Sequence, residues 1–250
     1  IAVALGAGAA GTLNMGYESD LDALMTRTCL RPIPTGQVTK NQALFFGVLL
    51  SVGSVALLYF SSNLMSASLL LLTICFYFFI YTVWLKKRTP QNIVIGGAAG
   101  ALPPVIGWTI ATGSLSIEPL ILFLIIFLWT PSHFWALSIY KSDDYKKAKI
   151  PMLPIIYGIE KTKKNIFIYS LLMLPIISAP YFISFLSKIY FYPALALTIY
   201  YIYLCGTLLK IKKSKEVNTL ARKIFLYSIF YLFIIFLLIL SDHFFMRLYG

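Results

Sequence analysis

The sequence predicts an all-α, polytopic membrane protein, and three observations carry that prediction. Of 250 residues, 59% are apolar or aromatic and 12% are charged, with a mean hydropathy of +0.82. A soluble domain carries about 45–50% apolar and roughly 25% charged residues, so this chain has too little polar surface to cover a water-facing globule. The apolar residues also fall into runs of about 20, the length that crosses a bilayer as a helix. Finally, the runs lack apolar/polar alternation and are too long for barrel strands. A soluble enzyme, a disordered tail and a disulfide scaffold are excluded. Cys29, Cys75 and Cys205 lie far apart with no CxxC, zinc or haem-attachment spacing, and read as free thiols.

The elements follow in order. The opening run, IAVALGAGAAGTL, has 13 residues before Asn14. That is short of a full span, and it lacks the basic start of a signal peptide. It reads as a truncated first span with at least part of one helix missing. Further spans are expected at about 42–61, 65–85, 93–112, 117–140, 165–186, 189–209 and 224–246, giving eight segments, the first incomplete. In the 93–112 span, Gly96, Gly97 and Gly100 offer a small face for close helix packing. Pro103 and Pro104 must break its hydrogen bonds, which a membrane helix tolerates where it is buried in protein or lines a cavity. This span is therefore placed beside a substrate chamber.

The net charge of +12 is a topology signal. Alternate loops (16–41, 86–92, 141–164 and 210–223) hold 19 of the 21 basic residues, leaving Lys188 and Arg247 on the other side. By the positive-inside rule the 19 face the cytoplasm, or the matrix of a mitochondrion. Nucleic acid is not an expected partner; the lipid bilayer is.

Most acids share that side and form two groups. In NMGYESDLD (14–22), a continuing helix puts Asn14, Glu18 and Asp22 at i, i+4 and i+8, within roughly 80° of one face. Asp20 points elsewhere or flanks them. An amide and two carboxylates at the water boundary repel unless a cation joins them, and such hard oxygen ligands suit Mg²⁺. The second group is Asp143 and Asp144. His133, Leu137, Tyr140 and Asp144 would form one stripe if the helix ran straight past Pro131. Each group leads into a basic, proline-bearing stop: Arg27, Arg31, Pro32 and Pro34 after the first, Lys146, Lys147, Lys149, Pro151 and Pro154 after the second. Acids for a metal, cations for phosphate and an apolar bundle below fit a lipid diphosphate. An ion-coupled transporter is the alternative of another class. Pro103, Pro104 and His133 fit it loosely, but transporters place coupling groups near the midplane, and these acids cluster at one boundary.

The stretch NMGYESDLDALMTRTCLRPIP (14–34) resembles the first acidic motif of the UbiA prenyltransferase superfamily. Three more stretches, LKKRTPQNIVIGGAAGALPPVIGW (85–108), WTPSHFWAL (129–137) and DDYKKAKIPMLP (143–154), resemble its haem-farnesylating branch. Glu18 stands where that motif commonly has Asp, which keeps the carboxylate. Lys147 stands where quinone-type relatives place another Asp, leaving fewer ligands for a second Mg²⁺.

The resemblance implies a single prenyltransferase domain over 1–250, a UbiA-type helical bundle of about nine spans when complete. It implies farnesyl transfer from farnesyl diphosphate to a vinyl group of haem B, with water added, giving haem O. Haem B is then a substrate, and Mg²⁺ the cofactor, held by Asn14, Glu18, Asp20, Asp22, Asp143 and Asp144. Asp22, Asp144, His133 and Arg27 are the candidate catalytic residues. Arg31, Lys86, Lys87 and Arg88 would neutralise the diphosphate with Arg27. Thr89 and Asn92 stand at the mouth of the chamber as diphosphate or haem contacts. His133 would approach the haem iron, bond a propionate or manage the proton of water capture. Trp135 and Tyr140, beside it, would line the prenyl tunnel and stabilise an allylic cation. The implied location is a bacterial inner (plasma) membrane with the acidic loops cytoplasmic, ahead of a mitochondrial inner membrane. Contact with a haem A synthase or terminal oxidase is a further implied partnership. The acids do not separate haem from a quinone precursor as acceptor; the stretches Thr89–Trp108 and Trp129–Leu137 favour haem.

Overall fold

The computed structural model describes residues 1–249, with side chains to Met246, so the Arg247 side chain lies outside the described residues. Every regular element is helical: α1 (Ala2–Asp22), α2 (Lys40–Ser61), α3 (Leu64–Cys75) continued by a π-helical segment (Phe76–Leu85), α4 (Asn92–Ala101), α5 (Pro103–Thr112), α6 (Ile117–Tyr140), α7 (Ser142–Lys147), α8 (Leu153–Ile156), α9 (Gly158–Phe182), α10 (Lys188–Lys210) and α11 (Ser214–Tyr249). Among the described residues, seven stretches are long and apolar enough to cross a membrane. They match the seven full spans expected from sequence. The eighth segment, α1, is 21 residues long, but Asn14, Glu18, Asp20 and Asp22 fill its second half.

The chain forms two compact units, the first made of Ile1–Pro119 and Ser142–Met152. Its core joins Ala10 and Leu13 of α1, Leu58 of α2, Leu70 and Ile74 of α3 and Ile106 of α5. α1 and α2 approach closely because Gly16 faces Leu44 and Gly47 faces Leu13, with no room for a Cβ at either glycine. α2 starts at a capping box, in which Thr39 and Gln42 bond each other's backbone N–H groups. Asn63 caps α3 by accepting from Ser66 N at 2.8 Å, and it donates to the Thr109 carbonyl of α5 at 2.8 Å. The 93–112 span is broken as expected: α4 ends at Ala101 and α5 restarts at Pro103, a residue suited to a first turn.

The second unit comprises Leu120–Lys141 and the chain from Leu153 onward. Ile125 of α6, Met173 and Ile177 of α9, Tyr190 and Ala194 of α10 and Tyr231 and Ile235 of α11 make its core. Asp242 is a buried cap: it accepts from Ser187 N and Tyr190 N at the start of α10, and from the Ser187 hydroxyl. Lys163 is buried at the other end, where it donates to the Ile211 carbonyl at the end of α10.

Two expectations are corrected. α9 and α11 begin seven and ten residues before the expected spans, because an apolar run marks only the membrane-embedded part of a helix. GIEKTKK and the start of α11 continue the backbone hydrogen bonding outside it. The proposed stripe from His133 to Asp144 is broken, since α6 passes Pro131 but stops at Tyr140, and Asp144 belongs to the separate α7.

The π segment packs tightly on α4. A Cβ on Gly96 would lie 2.2 Å from a Tyr81 ring carbon. Gly96→Ala is therefore expected to force the ring aside at a cost of about 1–3 kcal/mol, read as a lower Tm in detergent. Ala at Gly100, which meets nothing within 4 Å, is the control.

Candidate active site

All groups of the candidate diphosphate site lie in the first unit. α1 does continue through NMGYESDLD, and it buries Asn14, Glu18 and Asp22 along one face, with Glu18 only 1% and Asp22 4% exposed. The Asn14 amide donates to Glu18 Oε2 at 2.7 Å and to Thr82 Oγ1 at 3.1 Å. Thr82 reaches α1 from the π segment, where its hydroxyl also donates to the carbonyl five residues back, at Tyr77. The wider register carries on to Lys86, whose N–H bonds the Tyr81 carbonyl at 2.9 Å. The Lys86 ammonium pairs with Glu18 Oε2.

Beyond α1 the chain folds back on itself around buried Met25. Thr28 Oγ1 donates to the Asp22 carbonyl at 2.9 Å, and Arg31 pairs with Asp22 Oδ2 at 2.8 Å. From the same turn Thr26 Oγ1 donates to Asp144 Oδ2 at 2.6 Å, joining the two acidic groups. Asp144 is 8% exposed.

A common pattern results. Each of the three carboxylates has one oxygen held by a protein donor. The other oxygens are Glu18 Oε1, Asp22 Oδ1 and Asp144 Oδ1, and Glu18 Oε1 is buried with no hydrogen-bond partner among the described residues. A buried carboxylate oxygen without a donor is costly, and a cation relieves it. No three acids, histidines or cysteines among the described residues converge into a complete cage. Hard oxygens in incomplete number fit Mg²⁺, which takes one or two carboxylates and fills its octahedron with waters and phosphate oxygens.

The other expected residues divide. Asp20 points outward, its side chain 84% exposed, and pairs with Lys40; Asp143 is exposed 3.9 Å from Lys146. The structure brings neither to the cluster, since i+6 from Asn14 and i−1 from Asp144 fall on other helix faces. Lys86 and Arg31, expected to face diphosphate, are engaged with carboxylates. Arg27 and Arg88 are exposed and make no ion pair among the described residues, and Lys87 lies 5.7 Å from the Tyr17 ring centre. Thr89 and Asn92 build the turn behind Lys86: the Asn92 amide donates to the Thr89 and Lys86 carbonyls, and its buried Oδ1 has no partner. Thr26 and Thr82 were not singled out from the sequence.

Along α1 beyond Asn14 the same face carries Gly11, Ala10, Ala7 and Gly6. These small residues open a cleft of about 270 Å³, walled across from α1 by Tyr77 and Pro103 among others. The broken helix does line a cavity.

His133 lies in the second unit, buried and stacked between Trp129 (4.2 Å) and Phe225 (4.6 Å). Its Nδ1 is 2.6 Å from Ser228 Oγ, and that hydroxyl donates to the Phe225 carbonyl. Nε2 makes no hydrogen bond among the described residues, and the tautomer decides which partner donates between Nδ1 and Ser228. Trp135 is fully buried with its indole N–H unpartnered, and Tyr140 lies 5.9 Å from Phe225.

Comparison with known proteins agrees with this architecture. The chain is 67% identical over 240 residues, 96% of its length and 79% of the relative's, to a protein of Pelagibacter ubique named Protoheme IX farnesyltransferase. Relatives of the same name from Parvibaculum lavamentivorans and Ehrlichia ruminantium are 49% and 50% identical over 97% and 98% of the chain, which spans 76% and 81% of their lengths. Among solved structures, one from a study of digeranylgeranylglyceryl phosphate synthase in membranes shares the fold, with a TM-score of 0.77 at 21% identity, covering 95% of this chain and 81% of that one. A UbiA homologue from Archaeoglobus fulgidus bound to DMAPP and Mg²⁺ has a TM-score of 0.64 at 16% identity, covering 92% and 87%. The UbiA prenyltransferase family model matches residues 1–241. With seven membrane-crossing stretches, the α1 acidic face and this match spanning both units, the chain belongs to the UbiA prenyltransferase family.

Proposed function

We propose that this protein transfers the farnesyl group of farnesyl diphosphate to a vinyl group of haem B, with addition of water, giving haem O and diphosphate. The observation that carries the chemistry is the set of three carboxylates, each tethered through one oxygen and Glu18 with its other oxygen buried and unpartnered, beside an apolar cleft. The acceptor and donor rest on the 67% identical relative and its companions of the same name.

Glu18, Asp22 and Asp144, with Asn14, would hold Mg²⁺, which when bound supplies the positive charge that stabilises a departing diphosphate. Asn14 and Lys86 hold the Glu18 carboxylate, and Arg31 that of Asp22. Arg27, Lys87 and Arg88 remain for the diphosphate oxygens. The farnesyl chain lies along the small-residue face of α1, where water is excluded. The C–O bond to diphosphate breaks with its electron pair. The terminal vinyl carbon of haem attacks the allylic carbon, and water captures the resulting benzylic-type cation with loss of a proton. His133, with Nε2 unengaged, is assigned to the haem, as iron or propionate contact or as acceptor of that proton. Trp135 and Tyr140 are assigned to the prenyl side. The two compact units act as one prenyltransferase domain. The source of its relatives supports a bacterial inner membrane, and the charge of its loops supports cytoplasmic acidic motifs.

The test supplies haem B, farnesyl diphosphate and Mg²⁺ to the full-length protein in native-like membranes, then seeks the farnesylated, hydrated haem by mass spectrometry. Asp144→Asn is expected to lower product at least about 10²-fold. Prenylation of a quinone precursor with none of haem would retain the diphosphate site and refute the acceptor. Absence of diphosphate release with every acceptor would refute both.

A further inference from the structure

The two acidic motifs lie more than a hundred residues apart in sequence, yet one diphosphate site needs both in a fixed relation. α7 is short, and it is held by Tyr145, Ala148 and Ile150, all buried. Asp143, in its first turn, swings into water. Burial of its neighbours therefore does not by itself orient Asp144. Thr26 does: its hydroxyl donates to Asp144 Oδ2 at 2.6 Å and turns Oδ1 away from the contact. Thr26 is itself fixed by the hydrogen-bonded turn that closes α1, in which Met25 N bonds the Asp22 carbonyl and both Thr28 N and Cys29 N bond the Met25 carbonyl. The position of Asp144 is thus referred, through one hydroxyl, to the helix end that carries Asp22.

We infer that Thr26 is a positioning residue that sets the Asp144 carboxylate against the first acidic motif. It touches neither metal nor substrate. It removes the rotamer freedom that Asp144 would otherwise lose on binding, as outer partners of metal ligands do. The inference rests on the metal–diphosphate reading of this site.

The experiment titrates Mg²⁺ against the full-length protein in membranes with farnesyl diphosphate present. It reads protection of Lys146, Lys147 and Lys149 from trypsin, with no turnover required. Thr26→Val, which keeps the shape and loses the hydroxyl, is expected to raise the Mg²⁺ midpoint about tenfold. Thr26→Ser should stay close to wild type. In an Asp144→Asn background, Thr26→Val should add nothing, because its effect passes through that carboxylate. A wild-type midpoint in Thr26→Val, a Thr26→Ser midpoint shifted as far as that of Val, or a further shift in the Asp144→Asn background would each overturn the inference. Thr26→Ala takes the place of Val if the latter does not fold. Loss of folding in both would show a purely structural tether and overturn it too. If wild type shows no Mg²⁺-dependent protection, the diphosphate reading itself falls.

Discussion

Glu18→Gln should reduce haem farnesylation by at least about 10³-fold while the protein still folds. Glu18 is almost wholly buried, with Asn14 and Lys86 both on Oε2 and no donor on Oε1. Gln preserves the shape and removes the negative charge, so a divalent cation loses its most enclosed ligand. Asp20→Asn, two residues on, is the matched control. Its side chain is exposed and pairs with Lys40 at the surface, where such a bridge is worth about 0–1 kcal/mol, so activity should remain near wild type. Product measured for the two variants under saturating Mg²⁺ separates the buried face of α1 from its outer face. Equal losses would mean that the acidic motif acts as diffuse charge and that its helical register is irrelevant.

Lys86→Met should cost more stability than any other single change in the site, about 3–5 kcal/mol, because it leaves the buried Glu18 carboxylate without a counter-charge. The Lys86 side chain is itself only 19% exposed, so Met replaces its stem without a void. The informative comparison is the double variant Glu18→Gln/Lys86→Met. Removing both charges should recover most of the lost Tm in detergent, since a neutral pair in that place is close to isosteric. Activity should not return. A double variant as unstable as Lys86→Met would show that Lys86 acts through packing, and that the ion pair carries little.

The first motif was legible because it obeys a local rule. Asn14, Glu18 and Asp22 share a face through helical spacing alone, and α1 runs unbroken through all three. The spans were legible because hydrocarbon demands a minimum apolar length. Partner choice was not. Nothing in the spacing of Lys86 or Arg31 says that each closes on a carboxylate, since those contacts depend on how α1, the π segment and the turn after Asp22 meet. Membrane helices also blunt the usual guide to facing, because lipid and protein core both accept apolar side chains. For that reason Thr82 in FYFFIYTVWL gave no sign that it meets Asn14. The stripe proposed from His133 to Asp144 failed for a related reason: continuous spacing does not reveal a stop at Tyr140.

The π segment between Phe76 and Leu85 sets the direction of the site residues at its end. Leu70 and Ile74 anchor its start in the core of the first unit, while Thr82 and Lys86 meet α1 at its end. Each residue advances an α-helix by about 100°. The wider i→i+5 winding advances less than that per residue, so it takes up extra chain between the two anchors. Wound as an ordinary α-helix, the same ten residues would turn Thr82 and Lys86 off the acidic face. Thr82 meets Asn14 and Tyr81 packs on Gly96, so winding and side-chain identity both count along the segment. It works as a spacer whose pitch brings the charges into line.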